Sequence, residues 1–220
     1  ISEIKGDKRV SDAHTKAVMK ALLYVEKNFV NTRKQVDGDL FKEKVCNIIV
    51  AMFKHNTSRA LDPQLHTHCI VANAVKRMDN EWRSAEFREI FENKLLIGQI
   101  YRSELAFELN NLGYDIRRTG KGLFEVDGIS DNVLKHFSKR SVAKEEALKE
   151  YDYVNSKTAE QAVLRTREVK QATSKEDLQN RWHEESKSIG FDIDKAPYKE
   201  EEYKQERLGI LGYIEDKFKR

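Results

Sequence analysis

Residues 54–73 read KHNTSRALDPQLHTHCIVAN and carry three of the six histidines of a 220-residue chain. His66 and His68 stand two apart, so on a β-strand, where alternate residues share a face, both imidazoles project to the same side. The apolar runs NIIVAMF at 47–53 and CIVANAV at 69–75 have strand length and strand composition. Joined through residues 56–65 they predict a hairpin, with His55 at the end of one strand facing His66 and His68 on its neighbour. Three neutral imidazoles at one point on a sheet face leave coordination positions open, which is the pattern of a catalytic metal site and not of a closed structural one. Nitrogen donors suit Zn, Mn, Fe, Co, Ni or Cu better than Mg or Ca by affinity, although metal availability can override that order. A cation held this way polarises a bound oxygen or activates water.

Around the histidines lie Asn56, Thr57, Ser58, Arg59 and Gln64, a stretch rich in hydrogen-bond donors. Arg59 is the charged one, and its planar fork suits a phosphate oxygen. No carboxylate stands at a motif-like spacing from the histidines. Asp62 is the nearest in sequence, but it precedes Pro63 and is expected to shape the turn.

Composition narrows the class. With 35% charged and 39% hydrophobic residues, the chain reads as soluble and helix-rich. No run approaches the roughly 18 apolar residues that a membrane helix needs, and the opening ISEIKGDKRV has no apolar signal core. A cytoplasmic protein without membrane insertion is the expectation. Cys46 and Cys69 have no scaffold spacing and are expected as buried free thiols. A net charge of +3 permits nucleic-acid binding without demanding it.

Outward from the histidines, residues 7–28 predict a helix whose stripe is Ala13, Ala17, Val18, Ala21, Leu22 and Val25, with His14 beside it as a packing residue. Residues 29–36 read as an edge strand ending at an Asp37-Gly38 turn. A helix is predicted over 84–111 with Gly113 as its stop, then a hairpin turning at 120–122; Arg117, Arg118 and Lys121 around its tip read equally as a solvated turn or as phosphate contacts to DNA. Ser130 or Asp131 caps a helix over 130–139. Residues 142–170 are helix-compatible with a thin apolar stripe, the composition of an arm that orders on a partner. Ser174 caps a helix over 174–190, and a charged helix over 198–220 follows. The fold class is α+β, an antiparallel sheet covered by helices with a helical C-terminal arm.

The histidine stretch closely resembles the three-histidine motif of the MobF-type conjugative relaxases, the TraI/TrwC group. GDKRVSDAHTKAV at 6–18 resembles the family's preceding helix, and YRSELAFELNNLGYD at 101–115 its later helix and strand. TREVKQ at 166–171 and WHEESKSIGFD at 182–192 resemble its C-terminal part. The resemblance implies a two-layer antiparallel palm of ferredoxin-like type over residues 1–140, and a helical clamp over 141–220. It also implies strand-specific nicking of DNA at a transfer origin, with a tyrosine becoming linked to the 5′ end. His55, His66 and His68 would hold a divalent ion (Mg, Mn or Zn), Arg59 would neighbour a phosphate, and Arg167 and Lys170 would lie on the DNA side. Partners implied are single-stranded origin DNA, a helicase domain and a type IV secretion coupling protein. In the family the nucleophilic tyrosines precede the GDKR helix, so the chain is expected to lack them and to depend on a separately encoded N-terminal part. The competing expectations are a non-catalytic single-strand-binding remnant and a metal-dependent phosphodiester hydrolase.

Overall fold

A computed structural model of the chain describes residues 1–149, 155, 158, 161–162 and 173–193. In chain order the elements begin with α1 (Lys8–Phe29), β1 (Asn31–Val36), β2 (Asp39–Lys44), β3 (Val50–Thr57) and β4 (Pro63–Val71). Next come β5 (Val75–Lys76), β6 (Trp82–Arg83), β7 (Ala85–Glu86), α2 (Arg88–Glu92) and α3 (Lys94–Asn111). Then follow β8 (Ile116–Gly120), β9 (Leu123–Val126), α4 (Asp131–His136), α5 (Lys139–Leu148) and α6 (Lys175–Ser188). The strand pairs with a recorded register are antiparallel, and with the helices they make an α+β fold. The strands fall into a three-stranded sheet ordered β2-β1-β7 and the two-stranded ribbons β3-β4, β5-β6 and β8-β9. Among the described residues no helix is long and apolar enough to cross a membrane.

The described residues form two compact units. One gathers Arg9–Lys54 and Thr67–Val126. Its helix α1 buries Ala13, His14, Ala17, Val18, Ala21 and Val25, the stripe that 3.6-residue periodicity predicts. Val25, Val30, Val45 and Val75 form its core, with Phe29, Ile48, Ala85, Ile90 and Ile97 packed against them. Asp37 (φ 52°) and Gly38 (φ 92°) are both left-handed, the two-residue turn whose twist matches a hairpin, and they join β1 to β2 in register from Asn31↔Lys44 to Val36↔Asp39. The helix predicted over 84–111 begins later, at Arg88, because Ala85 pairs with Thr32 in the ladder. Gly113 (φ 86°) ends α3 as expected.

The other unit gathers Ile1–Lys8, His55–His66 and the described residues from 127 to 193. Ile4, Leu178, Trp182 and Ile193 form its core, with Leu61, Phe137 and Phe191 against them. Both predicted caps are present: the Ser130 hydroxyl accepts from the Val133 amide at 3.5 Å, and the Ser174 hydroxyl from the Asp177 amide at 3.0 Å. Ser174→Ala is expected to cost about 1 kcal/mol, read as a lower denaturant midpoint at unchanged m-value. The terminal helix over 198–220, and Arg167 and Lys170, lie outside the described residues.

The ribbon strands are displaced from their predicted positions. Strands were expected at 47–53 and 69–75; they run at 50–57 and 63–71. Two interactions take residues 47 and 48 out of the ladder, while the Ile49 carbonyl still accepts from the Ala72 amide at 2.9 Å. Ile48 packs into the valine core, while the Asn47 side chain donates to the Lys76 carbonyl and accepts from the Lys76 amide, each at 2.7 Å. The connection shrinks to five residues, short enough to require an antiparallel pair.

Candidate metal centre

The displacement moves the histidines from the strand ends into the ribbon. On β4, His66 and His68 share one side by alternation and Thr67 takes the other. On β3, His55 and Lys54 divide in the same way. His55 and His68 are exposed and His66 is half-buried. The His55 and His66 rings stack with centroids 5.4 Å apart and planes 21° apart. Two imidazoles sharing a cation, with metal–nitrogen bonds of about 2.0–2.1 Å and roughly 1.1 Å from nitrogen to centroid, stand roughly 5 Å apart. The observed pair fits that spacing.

His66 shows a further feature of a ligand. Its Nδ1 lies 3.0 Å from the Gln64 carbonyl, which can only accept, so Nδ1 carries the proton and Nε2 the lone pair. A second group that fixes the tautomer in this way is the usual companion of a metal-bound imidazole. Among the described residues no three His, Cys, Asp or Glu side chains stand as a ready-made cage; the spacing test rests on the His55–His66 pair.

The loop joining the strands is closed by the Ser58 amide on the Asp62 carbonyl (2.9 Å) and the Leu61 amide on the Ser58 carbonyl (3.2 Å). Leu61 is held left-handed, at φ 59°. Asp62 shapes this turn as expected: its amide donates to the Ser58 hydroxyl at 3.1 Å, and its carboxylate accepts from the Lys139 amide at 2.9 Å and pairs with the Lys139 ammonium at 3.2 Å. Burial pushes the Asp62 carboxyl above its ordinary range, and Lys139 opposes that shift. Trp182 Nε1 donates to the Leu61 carbonyl at 2.7 Å.

The back of the ribbon was missed in the sequence. Lys54 donates to the Ser11 hydroxyl at 2.8 Å, and the buried His14 lies 2.8 Å from both the Thr67 and the Tyr101 hydroxyls. A lone histidine beside an apolar helical stripe was the only available signal, and it reads equally well as packing.

The basic residues differ in setting. Arg59 is exposed in the short loop. Arg117 pairs across the β8–β9 hairpin with Glu125 at 2.6 Å, Arg118 lies opposite Phe124, and Lys121 sits left-handed at the tip, φ 48°. Cys69 is free as expected but only half-buried, and what burial it has raises its thiol pKa. Cys46 is free as expected but exposed, because it follows Val45 as that residue turns into the valine core.

An α+β domain organised on a histidine-bearing hairpin is the class that this geometry defines. The chain belongs to the TrwC relaxase family, whose sequence model matches residues 1–189. It is 37% identical over 198 residues to the multifunctional conjugation protein TraI of Escherichia coli, covering 86% of this chain and 11% of that protein. It thus spans about a tenth of the length of that relative. Among solved structures, conjugative relaxase TrwC in complex with OriT DNA, metal-free, superposes with a TM-score of 0.84 at 31% identity, over 87% of this chain and 69% of the other. The metal-bound complex gives 0.83 at the same identity, over 87% and 67%.

Proposed function

We propose that the chain is the cation- and DNA-binding part of a conjugative relaxase that nicks one strand at a transfer origin. The observation that carries this is the His55–His66 pair at 5.4 Å, with the His66 tautomer set by the Gln64 carbonyl. His55, His66 and His68 hold a divalent ion through imidazole nitrogen. Bound there, the ion supplies Lewis-acid polarisation of a phosphodiester oxygen. Arg59, on the loop between the two histidine strands, offers its donor fork to a phosphate. Arg118 and Lys121 give the β8–β9 hairpin a basic tip for the DNA backbone, and Arg167 and Lys170 are assigned to the DNA side by family likeness alone.

In the relaxase reaction a tyrosine oxygen bonds to phosphorus, the P–O3′ bond breaks, and the hydroxyl proton ends on the departing 3′ oxygen. Tyr101 and Tyr114 are poor sources of that hydroxyl. Tyr114 is 1% exposed, and Tyr101 is hydrogen-bonded to His14, its pKa raised by burial. The nucleophile is therefore assigned to neither. Incubation with a single-stranded origin oligonucleotide and Mn should leave both uncoupled; DNA attached to either would overturn that assignment. A helicase domain and a secretion coupling protein are the partners the reading implies.

Single-strand binding should be driven by phosphate neutralisation. Its logarithm is expected to fall with log salt at about −0.7 per phosphate contacted, measured by fluorescence anisotropy. An affinity unmoved by salt would remove the DNA assignment.

A further inference from the structure

One face of α1 holds two residues that neighbour the histidines along the chain, Lys54 and Thr67. Ser11 and His14 lie three apart on that helix and so share a face. Ser11 accepts from Lys54 at 2.8 Å, next in sequence to His55. His14 reaches Thr67 at 2.8 Å, the residue between His66 and His68. Its other nitrogen meets the Tyr101 hydroxyl at 2.8 Å, and the two rings pack edge to face at 5.7 Å. His14 is 4% exposed.

Geometry and chemistry together restrict this triad. An imidazole held between two hydroxyls satisfies both nitrogens by accepting from one and donating to the other. Such an arrangement fixes its ring, and through Nε2 it fixes the Thr67 side chain in one rotamer. Because alternate residues of a strand are rigidly opposed, pinning Thr67 on the back sets the direction in which His66 and His68 leave the front. A phenylalanine at position 14 would fill the same space without setting any direction.

We propose that His14 is a positioning residue of the metal centre, aligning the ligand strand through the Thr67 hydroxyl with Tyr101 holding its ring. This rests on the metal-site reading above. Outer partners that orient a ligand are worth about 10–100-fold in affinity; His14 acts one step further out, and a loss of about tenfold is expected.

The test is Zn titration of the full chain by calorimetry, with thermal unfolding of each variant alongside. Thr67→Val keeps the branched shape and removes the hydroxyl, and should weaken Zn binding about tenfold; Thr67→Ser restores the hydroxyl and should bind as the wild type does. His14→Ala should lose as much as Thr67→Val, and the double variant no more than either, because both break one link. Val25→Ala, in the valine core, should lower the melting temperature with Zn affinity intact. Unchanged affinity in Thr67→Val, or an equal loss in Val25→Ala, would overturn the positioning role while leaving the metal site standing. A wild-type chain that takes up no ion would remove the metal-site reading and this one with it. Should His14→Ala fail to fold, the Thr67→Val and Thr67→Ser pair decides the matter.

Discussion

His66→Ala is expected to lower divalent-ion affinity at least about 100-fold, since loss of an outer partner alone costs about 10–100-fold. His66 is the histidine for which both requirements of a ligand are visible: a neighbouring imidazole at ligand spacing and a proton confined to Nδ1 by a carbonyl. Its ring is half-buried and belongs to neither unit's cluster of buried apolar residues. The substitution should therefore change stability by less than about 1 kcal/mol, and the loss of ion uptake will not be a loss of fold. Titration with Zn and Mn, with the denaturant midpoint as control, reads the two quantities separately. Arg59→Ala is the companion variant. Its exposed side chain stands on the same hairpin but has no lone pair to offer, so ion uptake should survive while oligonucleotide binding weakens. Retained ion affinity in His66→Ala would sink the ligand assignment.

What the sequence showed and what it hid follow one physical division. Features set by neighbours along the chain were legible. Alternation puts His66 and His68 on one side of β4, the stripe of α1 emerges from its period, and Ser130 and Ser174 cap the helices that follow them. Features set by distant partners were not. The apolar run at 47–53 looks like the strand, yet its first residues are recruited elsewhere by Lys76 and the valine core, and the polar stretch KHNT carries the ladder on. Strand β2, DLFKEK, hides its pairing behind exposed charge. The His14–Thr67 bond spans 53 residues and the Asp62–Lys139 bond 77; no local pattern announces either. The proposed metal ligands belong to the first class and the residues bonded to their strands to the second.

That division gives Trp182→Ala its expected size. Trp182 is 2% exposed in the core with Ile4, Leu178 and Ile193, and truncating a buried tryptophan costs about 3–5 kcal/mol. Its Nε1–Leu61 bond adds about 1 kcal/mol, and that part is separable. Trp182→Phe keeps a buried aromatic ring but loses the pyrrole half of the indole together with its donor, so it should cost about 2–3 kcal/mol of stability, less than Trp182→Ala. The more informative readout is local. Leu61 holds a left-handed backbone at φ 59°, a conformation that costs a branched residue about 1–3 kcal/mol and persists only where its surroundings impose it. Trp182 is one of those surroundings, with the Ser58–Asp62 bonds the other. In Trp182→Phe, hydrogen exchange should therefore quicken at the Leu61 and Asp62 amides while the α6 amides, satisfied within their own helix, keep their protection. Equal exchange at the loop in both proteins would mean that the turn holds itself and that the tryptophan contributes packing alone. Faster exchange would mean that the connection between the strands bearing His55 and His66 is held from α6, so that a residue 116 positions beyond His66 in the chain helps to set the spacing of the two stacked imidazoles.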